Sequence, residues 1–146
     1  TIKSRNLTTG NIHNDKGLDL IIGNQSSFIQ LWLNNGTGQF TKSEQTLSNT
    51  STNEFLIDLD NDCDLDACIL RGGPMDDGKP NELWLNQNGT FVNSGLQLGK
   101  SNSLSAAFGD IDNDGDIDII IGNIDLKNGG ASNNVYINMT IEKNDK

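Results

Sequence analysis

The residues of this chain best equipped for chemistry are carboxylates placed at alternate positions. From Asp110 the sequence reads DIDNDGDID, which sets Asp110, Asp112, Asp114 and Asp118 at loop positions one, three, five and nine, with Gly115 at position six. Four hard oxygen donors in one tight loop suit Ca²⁺, which takes about six to eight oxygens at roughly 2.3 to 2.6 Å. The carbonyl of Asp116, at position seven, supplies one more. Magnesium suits the pattern less, because it keeps its waters and holds a stricter octahedron. Gly115 answers the need of a sharp turn for positive φ, which costs a residue with a Cβ about 1 to 2 kcal/mol.

The spacing recurs at Asp58, Asp60, Asp62 and Asp66, with the Asp64 carbonyl at position seven. Here Cys63 occupies the glycine position, so a second calcium site is expected, strained and weaker than the first. A third version runs through Asn11, His13, Asp15, Gly17 and Asp19, with two acids replaced and Lys16 at the glycine position. It is a weak metal candidate. His13, the only histidine, reads as a polar turn residue in a decayed copy rather than as a transition-metal ligand. An EF-hand would need an acid at position twelve and flanking helices, but that position is Ile121, inside an apolar run. An acidic turn that binds nothing would leave four like charges repelling one another.

The elements that hold these loops repeat. Trp32, Trp84 and Tyr136 stand 52 residues apart, in LWLNNGTGQF, LWLNQNGTF and VYINMT. Upstream, Asp19, Asp66 and Asp118 align, each followed by a short apolar run (Leu20 to Ile22, Ala67 to Leu70, Ile119 to Ile121) that predicts an inner strand buried on both faces. Between the two blocks lie connections of differing length, RGGPMDDGKPN from Arg71 and IDLKNGGASNN from Ile124, rich in turn residues. Each unit therefore reads as strand, acidic loop, strand, variable hairpin, strand, N-G turn, strand. That is the pattern of a four-stranded antiparallel propeller blade. The expected fold is all-β, a partial β-propeller of three blades over residues 1–52, 53–104 and 105–146, the third truncated, in one unit spanning 1–146. The repeating aromatics are expected to pack between blades rather than to stack on sugar.

A net charge of −10 opposes nucleic acid and anionic membrane surfaces as partners. No stretch reaches the roughly 20 apolar residues that span a bilayer, and TIKSRNLTTG lacks the apolar core of a signal peptide. The chain reads as a mature piece or a fragment. Two cysteines leave a Cys63–Cys68 bridge and two free thiols equally open. Catalysis is not expected, since nearly every clustered carboxylate belongs to a loop and one histidine cannot build a nucleophile–base set.

The run FGDIDNDGDIDIIIGN from Phe108, followed by NVYIN, resembles the FG-GAP repeat, and LWLNNGTGQF resembles its bacterial VCBS-type relatives. Gly122-Asn123 stands where that family closes with Gly-Ala-Pro. Integrin α-subunit heads are built from similar repeats. The resemblance implies an extracellular or periplasmic module for adhesion or for protein or glycan binding, with structural Ca²⁺. The ligand would meet the hairpins at Arg71 to Asn81 and Ile124 to Asn133, and the open stack would meet further blades or a second copy of itself. Spacer blades of a large surface protein, or the propeller part of a larger secreted enzyme, are the alternatives.

Overall fold

A computed structural model describes residues 4–24, 27–72, 79–124 and 131–138, apart from the side chain of Arg5. The first sheet is formed by β1 (Ser4–Gly10), β2 (Asp19–Asn24), β3 (Gln30–Asn34) and β4 (Phe40–Thr46). The second holds β5 (Asn53–Ile57), β6 (Asp66–Leu70), β7 (Asn81–Gln87) and β8 (Thr90–Leu98), and the third β9 (Asn102–Gly109), β10 (Asp118–Ile124) and β11 (Asn134–Tyr136). Each sheet is an antiparallel meander in chain order. Among the described residues the fold is thus all-β, three open sheets of four, four and three strands, in keeping with a partial propeller. Asn88 and Gly89, both at positive φ (53° and 87°), make the two-residue turn between β7 and β8. The corresponding turn after β3 is longer, with the Asn34 side chain accepting from the N–H groups of Gly36 and Gly38.

The sheets stack face to face, and period-two alternation divides each strand between two seams. On β6, Ala67 and Ile69 join an apolar cluster with Ile12, Ile21, Leu31 and Phe91, while Cys68 and Leu70 join another with Leu83, Ile119 and Ile121. All five residues of β6 are buried, as the apolar run predicted. The two end sheets differ: Ile120 on β10 is 38% exposed, and Leu20 and Ile22 on β2 are only half-buried. Burial on both faces needs a neighbour on both sides, and among the described residues only the middle sheet has one. The aromatics divide in the same way. Trp84 and Tyr136 pack into the first and second seams, whereas Trp32 faces outward from the first sheet.

Neighbouring sheets touch through their first and second strands: β5 meets β1 and β2 of the first sheet, and β9 of the third sheet meets β6 and β5. Leu56 on β5 packs towards the first sheet, and Phe55 and Ile57 towards the third, where Phe55 meets Phe108 with ring centroids 5.5 Å apart. Glu54 lies over the α-carbon of Gly23, where a β-carbon would stand 1.9 Å from Glu54 Oε1. The corresponding positions of the second seam are Leu70 and Ala106, a large residue opposite a small one in the reverse order. Both cysteines are free; Cys63 is exposed, and burial pushes the Cys68 thiol up to about 12.

Candidate metal centres

Each acidic loop spans the turn from the first strand of a sheet to the second, and all three are built on the same hydrogen bonds. The last acid is the anchor. Asp19, Asp66 and Asp118 are 1%, 0% and 0% exposed. One oxygen of each accepts the N–H of loop position two, from Ile12, Leu59 and Ile111, at 3.0, 3.0 and 2.7 Å. The other accepts the N–H of the asparagine two residues after the repeated aromatic, from Asn34, Asn86 and Asn138, at 2.8, 2.8 and 2.7 Å. The carboxylate therefore ties the loop mouth to the third strand of its own sheet.

In the two complete loops the acid at position one closes the turn. Asp58 accepts from the N–H groups of Asp62 and Cys63, and Asp110 accepts from those of Asp114 and Gly115. The bond to position six requires the left-handed backbone expected there, and φ is 95° at Gly115 and 72° at Cys63. A side chain is disfavoured in that region. Cys63→Gly is therefore expected to raise folding stability by about 1 kcal/mol, partly offset by the greater freedom of glycine in the unfolded chain. Urea midpoints in EDTA measure this, and an unchanged or lowered midpoint would show that the thiol residue is unstrained.

Oxygens of Asp58, Asp60 and Asp66 converge within 4.8 Å of one another, as do those of Asp110, Asp112 and Asp118. That span is about twice a calcium–oxygen bond, so one ion can touch all three. Positions one, three and nine thus come together as the spacing predicted. Position five does not join the converging set: Asp62 and Asp114 each accept the N–H of position seven, from Asp64 and Asp116, at 2.9 Å. Burial raises the Asp66 pKa to about 6 against the lowering effect of its two N–H bonds, and Asp60 and Asp62 add to the rise. Asp60 is raised too, by burial and then by the charges of Asp62 and Asp58. A divalent cation would reverse these shifts, because it favours the ionised form of every ligand.

The first loop keeps the shape and lacks the donors. Asn11 accepts from Asp15 N–H at 3.0 Å, as Asp58 and Asp110 do from their loops, but its amide also donates to the Asp15 carbonyl at 2.7 Å. Gly17 N–H bonds the Asp15 carboxylate at 2.7 Å. His13 Nδ1 lies 3.3 Å from Asp19 Oδ2, and its ring covers Gly89 of the second sheet, where a β-carbon would approach it to 2.4 Å. The histidine is a seam contact and a partner for the anchor acid.

Asparagines were the residues the sequence reading passed over. Asn14, Asn61 and Asn113 occupy position four at φ of 51°, 58° and 63°, a region asparagine tolerates. Asn14 donates to Asp64 of the next loop, and Asn61 to Asp116 at 3.1 Å. The Asp64 carboxylate also accepts from Asn88 N–H, so the side chains of Asp64 and Asp116 serve the seam rather than the loop interior. In the opposite sense, Asn86 donates to the Ile12 carbonyl at 2.9 Å, and Asn138 to that of Leu59 at 3.1 Å. The signal was present as an Asn-Asp pair at 14–15, 61–62 and 113–114 and an asparagine two residues after each repeated aromatic.

Most of the two hairpins expected to meet a partner, residues 73–78 and 125–130, lies outside the described residues. No curated protein matches the chain. A family model for the FG-GAP-like repeat matches it twice, over residues 11–69 and 58–121. The first match opens at position one of the first loop, and the second at position one of the next, so together they take in all three loops. From these two overlapping matches and the loop geometry they share, the chain belongs to the FG-GAP-like repeat family.

Proposed function

We propose that this β-propeller-like repeat module binds two calcium ions, one in the Asp58 loop and one in the Asp110 loop, and serves as a non-catalytic binding or adhesion module outside the cytoplasm. The observation that carries the reading is the convergence of three carboxylates within 4.8 Å in each complete loop. Asp58, Asp60 and Asp66 would hold one ion, and Asp110, Asp112 and Asp118 the other. Bound calcium would neutralise mutually repelling acids and fix the loop at the start of the second strand. The anchor acids already bridge two backbone N–H groups each, which favours a structural over an acid–base role. Among the described residues no helix is long and apolar enough to cross a membrane, and acidic loops that fill from millimolar calcium suit an extracellular or periplasmic setting. A protein or glycan ligand would meet the hairpins at 71–81 and 124–133.

The thermal midpoint in calcium against EDTA tests this. A site at 100 times its Kd stabilises the folded chain by about 2.7 kcal/mol, which for a domain of this size is a rise of roughly 10 °C per saturated site. Asp112→Ala removes an exposed ligand of the third loop and is expected to cut the calcium response by about half. A midpoint indifferent to calcium sinks the reading.

A further inference from the structure

The two complete loops are joined to each other by hydrogen bonds that end on carboxylates expected to hold the ions. Asp66, at position nine of the second loop, accepts the Leu59 N–H at 3.0 Å. The carbonyl of Leu59 accepts from the Asn138 side-chain amide at 3.1 Å, and the N–H of Asn138 donates to Asp118, at position nine of the third loop, at 2.7 Å. Three hydrogen bonds thus run from one buried acid to the other through Leu59 and Asn138. A second tie crosses at the open side of the loops, where Asn61 donates to the side chain of Asp116 at 3.1 Å. The same relay links Asp19 to Asp66 through Ile12 and Asn86, although the first loop lacks the acids of the other two. It therefore belongs to the repeat itself, whether or not a loop carries the full set of acids.

We propose that these ties couple the two calcium sites, so that filling either loop raises the affinity of the other; this rests on the reading of both loops as calcium sites. Positions four to six of both loops, residues 61–63 and 113–115, are exposed, and a segment with so little burial sits at the low-stability end of a fold. An ion in the second loop fixes Asp66 and, through it, the residue against which the Asn138 amide rests. It also fixes Asn61, which follows the ligand Asp60. The third loop, tied to both, then has less conformational freedom left to lose when its own ion enters. Linkage makes the effect equal in the opposite direction. Charge acts the other way. Two dications repel, but at physiological salt that repulsion is screened over about 8 Å, so the sign of the coupling separates ordering through the ties from charge across space.

Calorimetric titration with calcium at about 0.15 M salt tests this. Asp60→Ala silences the second loop and Asp112→Ala the third, which gives the association constant of each site alone. The product of the two stepwise constants of the natural chain is expected to exceed the product of these single-site constants by at least about fivefold, the low end of allosteric couplings. Asn138→Ala keeps the N–H to Asp118 and loses the bond to Leu59. With the whole cycle repeated in that background, the excess is expected to fall below about twofold. Asn61→Gly, which accommodates the positive φ of 58° there, is expected to lower the excess too, and decides the matter where Asn138→Ala folds poorly. Two ions that bind independently, or a product smaller than that of the single sites, overturn the proposal and leave the calcium reading standing. An excess unchanged in both variants overturns it as well, since the ties would not carry it. A natural chain that takes up no calcium overturns the reading of the loops, and the coupling with it.

Discussion

Asp66→Ala is expected to lose about 2 to 5 kcal/mol of folding stability in EDTA, where no metal shares in the effect. The substitution removes both acceptors of two N–H groups, those of Leu59 and Asn86, from a residue with no exposure. A buried donor left without a partner costs about 1 to 3 kcal/mol. Against a total stability of roughly 5 to 15 kcal/mol for a small domain, that moves the chain close to unfolding. Asp66→Asn keeps one acceptor oxygen and turns an amide donor towards the other N–H, so it falls between. Asp60→Ala is the control, since Asp60 converges on the same loop without anchoring it. It is expected to change EDTA stability by less than about 1 kcal/mol while removing a calcium ligand. Urea denaturation followed by tryptophan fluorescence separates the two, and equal midpoints for Asp66→Ala and Asp60→Ala would remove the anchor role.

The second large effect lies where Glu54 covers Gly23. Gly23→Leu alone drives a side chain into space that the Glu54 carboxyl occupies, and overpacking of that kind costs about 3 kcal/mol or more. Paired with Glu54→Ala it reproduces the Leu70 and Ala106 arrangement of the second seam. The double variant is expected to be at least as stable as the natural chain at neutral pH, a coupling above about 2 kcal/mol. The charge explains why the swap can gain. Glu54 is 2% exposed, and burial holds its carboxyl above the usual glutamate range against the lowering effect of the Ser51 and Asn6 side chains beside it. The folded chain therefore holds this proton more tightly than the unfolded chain does. Below about pH 4 both states are protonated and there is no penalty. As pH rises through the raised folded value, ionisation of the buried group lowers stability. Glu54→Gln should match the natural chain near pH 4 and exceed it at pH 8, and an offset identical at both would mean that Glu54 does not titrate across the range.

The strands and loops were legible because their signals are local. Alternation, β-branched runs, the asparagine-glycine turns and the Asp spacing each operate within about ten residues, and they placed the inner strands and convergent carboxylates in advance. The seams were not legible, because contacts between sheets join residues some 50 positions apart and depend on which face each residue presents. Glu54 reads as an ordinary strand acid until Gly23 is found beneath it. The anchor acids read as metal ligands, yet their shared work in all three loops, the degenerate one included, is to hold two backbone N–H groups. Asp19 does this work in a loop that has Asn11 and His13 where the other two loops have acids. Ile120 was expected inside a sheet stack and lies half-open, because apolar character cannot say how many neighbours a sheet has.

The asparagine bonds between sheets run in both directions across each seam. Asn14 and Asn61 reach forward to the next loop, and Asn86 and Asn138 reach back to the previous one. A sheet turned end over end would bring donor against donor and acceptor against acceptor. The stack therefore has a polarity: one end presents Asn113, a forward-reaching donor, together with the Ile111 carbonyl, and the other presents Asn34, a backward-reaching one. A further repeat that makes the same two asparagine bonds can extend the series only in the same sense as its predecessors.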